Sequence, residues 1–203
     1  IEGLDSFAVK VASGFFNNPK LGLPSSNGLM ILLDSQTGVI KSVLLDKGYL
    51  TDVRTAIAGA IASKYLSNPE SSTVAIIGTG IQARMQLEAL TLVRDIKNVN
   101  VWSRDIKKTH AYIENVTKKI DLNFTAFDNT SEVVNNADIL ITTTPSKKPL
   151  VDYSSLPKGI HITAMGSDAE EKNELEPDII KNCDAYVPDS QAQTSILGEL
   201  NHA

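Results

Sequence analysis

The sequence predicts an α/β protein, with a doubly wound parallel sheet in its larger part and an incomplete α+β part before it. Two observations carry that prediction. From Ser72 onward, apolar β-branched runs alternate with segments of helical periodicity, as βαβ units do. One strand-to-helix junction in that stretch reads Gly78-Thr79-Gly80-Ile81-Gln82-Ala83, which suits a sharp turn and a close helix–sheet approach. Residues 1–50 lack the alternation and read as strands and turns. The division is expected at Ser67-Asn68-Pro69, giving one domain over 1–68 and a second over 69–203.

Taken in order, Phe7-Ala8-Val9-Lys10-Val11 alternates and reads as a strand, and residues 17–24 carry loop chemistry. Residues 29–34 and 39–45 are apolar runs joined by Ser35-Gln36-Thr37-Gly38, a hairpin signal. A helix is expected over 51–66, with Thr51 as its N-cap and Gly59 among alanines marking close packing against a neighbour. Strands follow at 73–77, 99–102, 122–127, 137–142 and 160–164, with helices at 80–93, 105–118 and 131–136 between them. A helix over 174–182 and a last strand over 185–187 complete the pattern.

Composition narrows the function. Of 203 residues, 42% are hydrophobic and 21% charged, the balance of a folded globular protein. No apolar run approaches the ~20 residues of a membrane-spanning helix, so no membrane role is expected. Nineteen basic against twenty-four acidic residues, with no basic block, argue against a nucleic-acid partner. A single cysteine, Cys183, excludes an internal disulfide and a cysteine zinc cluster, and reads as a small buried hydrophobe near a helix end. His110, His161 and His202 have no metal-like spacing, and no metal site is expected. The sequence shows no secretory pattern, and a cytoplasmic location is expected.

The glycine junction is the sharpest motif. Gly-x-Gly-x-x-Ala directly after the strand at 74–77, opening a helix, is the dinucleotide fingerprint of a Rossmann-type fold. Gly78 permits the turn, Gly80 lets a pyrophosphate approach the backbone, and Ala83 keeps helix and sheet close. The helix start offers unpaired N–H groups to the phosphates. Some 20 residues on, NAD enzymes usually carry an acid for the ribose hydroxyl. This chain has Ser103-Arg104-Asp105, where a hydroxyl and a guanidinium suit a 2′-phosphate. NADP is therefore favoured over NAD, although Asp105 offers a carboxylate to a ribose and Arg104 has a plain solvated reading.

Three charged residues stand in unexpected places. Arg54 falls in the first turn of its expected helix, where the dipole disfavours a cation; a bound anion or an ion pair with Asp52 would each relieve it. Lys10 leaves an apolar strand, either toward a carboxylate ligand or simply to solvent. Asp168 follows Met165-Gly166-Ser167 at the carboxyl end of the strand at 160–164, the edge where ligands of open α/β sheets sit. It reads either as a helix cap or as a proton-exchanging group beside a nicotinamide. Thr142-Thr143-Thr144-Pro145 ends the preceding strand at the same edge and offers hydroxyls and backbone to a cofactor.

Together these stretches resemble the ornithine cyclodeaminase/mu-crystallin family along the whole chain. The resemblance is carried by Phe7-Ala8-Val9-Lys10, Leu50-Thr51-Asp52-Val53-Arg54-Thr55-Ala56, the Gly78 loop, and Ala164-Met165-Gly166-Ser167-Asp168 with Lys172 and Glu174-Leu175. It implies an NAD(P)-dependent, typically dimeric enzyme acting on amino acids or imines. Members include ornithine and lysine cyclodeaminases, alanine dehydrogenase, imine or ketimine reductases and relatives linked to ectoine use, beside non-catalytic NADP-binding proteins of the mu-crystallin kind. The resemblance makes Asp168 the acid/base, and Lys10 and Arg54 the carboxylate-orienting pair, with Arg54 also near the cofactor. It places Ser25, Ile81, Gln82, Ser103, Thr143, Met165, Gly166, Ser167 and Lys172 at cofactor-contacting positions. The family's usual acid at position 103 is serine here, and its Gly-Gly-Asp or Gly-Ala-Asp turn is Gly166-Ser167-Asp168. Family members are longer. The resemblance thus implies the middle of an enzyme: a nearly intact dinucleotide domain, and a substrate and dimerisation domain lacking segments at both ends.

Overall fold

The computed structural model describes residues 3–15 and 17–203, and divides the chain into two compact units, 1–55 and 56–203. In the first unit, β1 (Ser6–Gly14), β2 (Ser26–Asp34) and β3 (Ile40–Leu44) form an antiparallel sheet in that order, with Lys10 opposite Met30. The expected hairpin turn is organised by Asp34. Its Oδ1 accepts the Gln36 and Thr37 amides at 3.0 and 2.9 Å and the Thr37 hydroxyl at 2.9 Å. Its Oδ2 pairs with Lys41 at 2.9 Å, and these donors hold the carboxyl well below the usual carboxylate range. Among the described residues up to Thr55 no hydrophobic side chain is buried.

Helix α1 (Tyr49–Leu66) begins two residues before the expected start at 51. The reason is Asp46, whose Oδ2 accepts the Leu50 amide at 2.7 Å and satisfies an orphan donor of the first turn. Thr51 therefore lies inside the helix and is not its cap. Arg54 becomes the sixth helical residue, beyond the turn where the dipole acts, so the dipole argument for an anion there does not hold. At the other end of α1, Arg94 caps the helix. Its Nη2 donates to the carbonyls of Ser63, Lys64 and Ser67 at 2.9, 2.8 and 3.0 Å, and its Nε to the Ser67 hydroxyl at 2.8 Å. One guanidinium fork thus meets several of the carbonyls that a helix end leaves without partners.

The second unit is built on a five-stranded parallel sheet of order β6-β5-β4-β7-β9. Its strands are β4 (Thr73–Ile77), β5 (Asn98–Trp102), β6 (Asn123–Phe127), β7 (Ile139–Thr142) and β9 (His161–Ala164). Helices α2 (Ile81–Leu90), α3 (Ile106–Val116) and α4 (Thr130–Val133) fall between them in sequence. Alternation along β4 feeds two cores. Val74 and Ile76 pack with Leu87, Leu90, Val101 and Tyr112 on one face, while Ala75 and Ile77 pack with Trp102, Val133, Leu140 and Leu175 on the other. Val74, Ala75, Ile76 and Ile77 are fully buried, as a central parallel strand requires. At the amino edge of the sheet, Asp138 Oδ2 accepts the Ser72 and Thr73 amides at 2.8 and 2.9 Å and fixes the entry into β4.

The C-terminal stretch departs from expectation. Residues 174–182 are not one helix: β10 (Asn173–Leu175) pairs in parallel with β8 (Lys147–Val151), and only Pro177–Lys181 form the helix α5. Pro177 starts that helix and pushes the residue before it into the extended conformation, seen at Glu176 with ψ 136°. Residues 185–187 form no strand; a short helix α6 (Gln191–Thr194) and a final turn at Glu199–His202 follow. Cys183 is exposed, not buried, with its Sγ within 3.1 Å of the Ile180 carbonyl just past α5. No helix among the described residues is long and apolar enough to cross a membrane.

The Arg94 cap yields a stability test. Arg94→Met is expected to lower the stability of the second unit by about 1.5–3 kcal/mol, read from its unfolding midpoint, because charge-assisted bonds to helix carbonyls are lost. Arg94→Lys should recover only part of this, since an ammonium lacks the planar fork.

Candidate functional site

The strand order places β4 between β5 and β7. Chain connections leave β4 toward β5 and β7 toward β9, on opposite sides, so a crevice opens at the carboxyl edge between them. The glycine loop lies there. Gly78 has φ 118°, and its amide donates to the Trp102 carbonyl at 2.9 Å, tying the loop to the end of β5. A Cβ on Gly78 would stand 2.6 Å from Thr143 Oγ1, so both the backbone angle and the close approach require glycine. Gly80 is the N-cap of α2, has no side-chain cap, and a Cβ there would meet nothing within 4 Å. Open space therefore faces an uncapped helix start, a cradle suited to a pyrophosphate. Ile81 is exposed and Gln82 half-buried in the first turn of α2. Ala83 is fully buried against the sheet, and its carbonyl accepts the Tyr112 hydroxyl at 3.2 Å. Burial pushes that phenol's pKa up and keeps it a donor.

At the end of β5, Ser103 Oγ lies 2.9 Å from the Asp105 carbonyl oxygen and 2.9 Å from Thr109 Oγ1. The Asp105 carboxylate caps α3, accepting the Lys107 amide at 3.0 Å. It is thus already engaged in a structural role. Arg104 between them is exposed.

Across the crevice, the loop after β7 and the turn after β9 are joined by one carboxylate. Glu174, fully buried, accepts the Thr142 hydroxyl at 2.7 Å and the Gly166 amide at 2.9 Å on Oε2. On Oε1 it accepts the Thr144 amide at 2.5 Å and the Thr144 hydroxyl at 2.7 Å. Of the three consecutive threonines, two hydroxyls are therefore spent on Glu174, leaving half-buried Thr143 beside Gly78. Met165 donates its amide to the Thr142 carbonyl at 2.9 Å, and Ser167 Oγ donates to the Lys172 carbonyl. Asp168 starts no helix, so the capping alternative fails; its side chain is 70% exposed and pairs with the ammonium of nearly buried Lys172. The exposed carboxylate is thereby fixed from behind while its outer face stays open.

A second buried carboxylate backs the first. Glu199 accepts the amides of Glu174 and Leu175 at 3.0 and 3.1 Å. Burial raises the pKa of both carboxyls, and the surrounding hydroxyl and amide donors offset only part of that rise. Neither the anchoring role of Glu174 nor that of Glu199 shows in the sequence pattern. A buried glutamate looks like a surface one in sequence; the available signal was a run of threonines ending an apolar strand, whose hydroxyls need an acceptor.

The remaining predicted residues belong to the first unit. Lys10 is exposed on β1, Arg54 is exposed on α1, and half-buried Ser25 precedes β2 with its carbonyl accepting the Phe15 amide at 2.7 Å. Among the described residues no group of His, Cys, Asp and Glu could hold a metal ion. His161 is half-buried, its pKa lowered by burial and by Arg94, and its Nε2 lies 3.1 Å from Thr163 Oγ1.

The second unit is thus a doubly wound α/β domain with its glycine loop at the switch point of the sheet. The sequence profile of the ornithine cyclodeaminase/mu-crystallin family matches residues 1–203, and the chain belongs to that family. A Sinorhizobium fredii protein named as an uncharacterized cyclodeaminase is 53% identical over all of this chain and 61% of its own length. An archaeal alanine dehydrogenase dimer with bound NAD matches with a TM-score of 0.90 and 34% identity, over 98% of this chain and 60% of that one. Thermococcus litoralis Δ1-pyrroline-2-carboxylate reductase, in complex with NADH and L-proline, gives 0.87 and 31% over 94% and 58%. The chain spans less than two thirds of each relative.

Gly166 tests the geometry of this edge. A Cβ there would lie 2.2 Å from the Thr144 carbonyl oxygen and 2.5 Å from Glu174 Oε2, so the two loops must part. Gly166→Ala is expected to weaken dinucleotide binding by about tenfold or more, read by fluorescence titration; this corresponds to about 1.4 kcal/mol.

Proposed function

We propose that the chain forms the dinucleotide site and part of the substrate site of an NAD(P)-dependent enzyme acting at the Cα–N bond of an amino acid or its imine. Its nearest chemistry is that of an ornithine cyclodeaminase. The observation that carries the reading is Asp168: an exposed carboxylate, fixed by Lys172, on the sheet edge that also bears the Gly78 loop. A nicotinamide bound at that edge would supply the hydride acceptor or donor.

Gly78, Gly80 and the first turn of α2, with Ile81 and Gln82, would hold the pyrophosphate through backbone amides. Thr143 and Met165–Ser167 would line the nicotinamide half. Asp168 takes a proton from the substrate nitrogen when the amine is oxidised and returns one when an imine is reduced. Lys172 keeps the carboxylate aimed outward. Lys10 and Arg54 are the proposed cations for the substrate carboxylate, and Ser25 a hydroxyl near the cofactor; these roles rest on the family. A homodimer is proposed on the same ground.

Arg104 favours a second reading, that of an NADPH-dependent imine reductase. Its exposed guanidinium follows Ser103, and the nearby Asp105 carboxylate is engaged in capping α3, an arrangement suited to a 2′-phosphate.

The full-length protein separates these readings. With ornithine, a cyclodeaminase releases ammonia and proline with no net change in nicotinamide absorbance, whereas a reductase consumes NADPH when given a cyclic imine. Dinucleotide binding with neither activity would mark a non-catalytic binding protein. Asp168→Asn is expected to lower turnover by about 10²–10⁴-fold, and full turnover in that variant would remove the acid/base assignment. Arg104→Ala should weaken NADPH by about tenfold, roughly 1.4 kcal/mol, and leave NADH unchanged. Equal effects on the two cofactors would contradict the 2′-phosphate role.

A further inference from the structure

The buried carboxylate of Glu174 sits behind both loops of the crevice, and the reaction proposed above makes no direct use of it. Its bonding is saturated. Two donors reach Oε1, both from Thr144, and two reach Oε2, from Thr142 and Gly166. Every acceptor position of an ionised carboxylate is then used, and every partner is a donor. A glutamine would turn an NH2 group toward two of those donors, while an aspartate is too short by a methylene to meet both loops. The donors come from two chain segments brought side by side by β7–β9 pairing: Thr142 at the end of β7 and Thr144 two residues on, Gly166 beyond β9. One segment carries Thr143 against Gly78; the other leads within two residues to Asp168.

The strand carrying Glu174 is itself fixed from outside. Glu199 accepts the Glu174 and Leu175 amides, and His202 Nε2 lies 2.8 Å from the Lys172 carbonyl, which also accepts Ser167 Oγ. Lys172, which pairs with Asp168, is thus held at its backbone as well as by its ion pair. The order of dependence runs from Glu199 to the β10 strand, from Glu174 to the two loops, and from the second loop to Asp168.

We propose that Glu174 is a positioning residue: it sets the separation between the Thr143 loop and the Asp168 turn, and so the placement of the proton-transferring carboxylate against the bound dinucleotide. The proposal deepens the reading of Asp168 given above and rests on it. A fixed carboxylate is suited to this role because four charge-assisted bonds from two segments define one distance, with no exposed face through which the loops could drift.

The experiment uses the full-length protein with Glu174→Gln, Thr142→Val and Thr142→Ser. Thr142→Val is nearly isosteric and removes a single donor; Thr142→Ser keeps it. Glu174→Gln and Thr142→Val are expected to raise the Kd for NADPH by about tenfold, with Thr142→Ser within about twofold of the wild type. Glu174→Gln should also lower kcat by about 10–100-fold, and by little further when combined with Asp168→Asn, because it acts through that residue. Thr142→Val carries the test if Glu174→Gln does not fold. Wild-type Kd and kcat in both Glu174→Gln and Thr142→Val, with only a lowered Tm, would overturn the proposal. So would a kcat loss that persists in full in the Asp168→Asn background. Failure of the parent reading shows differently: Asp168→Asn alone would keep full turnover, or the wild type would bind no dinucleotide, and the latter sinks both.

Discussion

The constraint on which this structure turns is the reversal of strand order between β4 and β7. A parallel sheet brings all its strand ends to one edge, and a reversal there sends the two central connections apart. The crevice left between them needs no special sequence. What the sequence supplies is its lining: a glycine turn on one side, and on the other two loops that would separate if nothing held them. Gly78 lies against Thr143, and Gly166 lies against Thr144 and Glu174, at distances that exclude a Cβ. Gly78 therefore answers to backbone angle and packing together, and Gly166 to packing between the loops.

Burying a carboxylate is costly unless its lone pairs are met, and Glu174 meets that condition with donors that belong to the site itself. Its partners are the hydroxyls and amides of loops that would otherwise be free to move at the sheet edge. The same logic appears at smaller scale elsewhere. Asp138 closes the opposite edge at the start of β4, Asp105 caps α3, and Asp34 organises the β2–β3 turn. In each case an acid near a strand or helix terminus collects backbone amides. Asp168 is held from one side by the Lys172 ammonium, and its side chain is 70% exposed, which leaves its outer face open.

The central sheet was legible because its signals are local. The run Val74-Ala75-Ile76-Ile77 is apolar on both faces and ends at a glycine pair, and the strand bounds at 73–77 agree with the structure. Asp105 likewise stands at a helix start that a short window reveals. What escaped depends on partners distant in sequence. Residues 173–175 look helical beside Pro177, yet they pair with β8, whose Pro149 disguises it as a loop. Glu174 finds its partners eight to thirty-two residues upstream, and Glu199 grips a strand twenty-four or twenty-five residues before it. The start of α1 was misplaced because Asp46, outside the apolar pattern, supplies the cap. Cys183 shows the limit of composition, since its small size suggested burial and its place just after α5 leaves it exposed.

The claim that this edge is a dinucleotide site is tested most directly by hydrogen–deuterium exchange on the full-length protein with and without NADPH. Bound dinucleotide should slow exchange at 78–84, 142–146 and 165–168, the three segments that line the crevice. Slowed exchange confined to the opposite edge of the sheet, at 72–73, 97–98 and 136–139, would contradict the account.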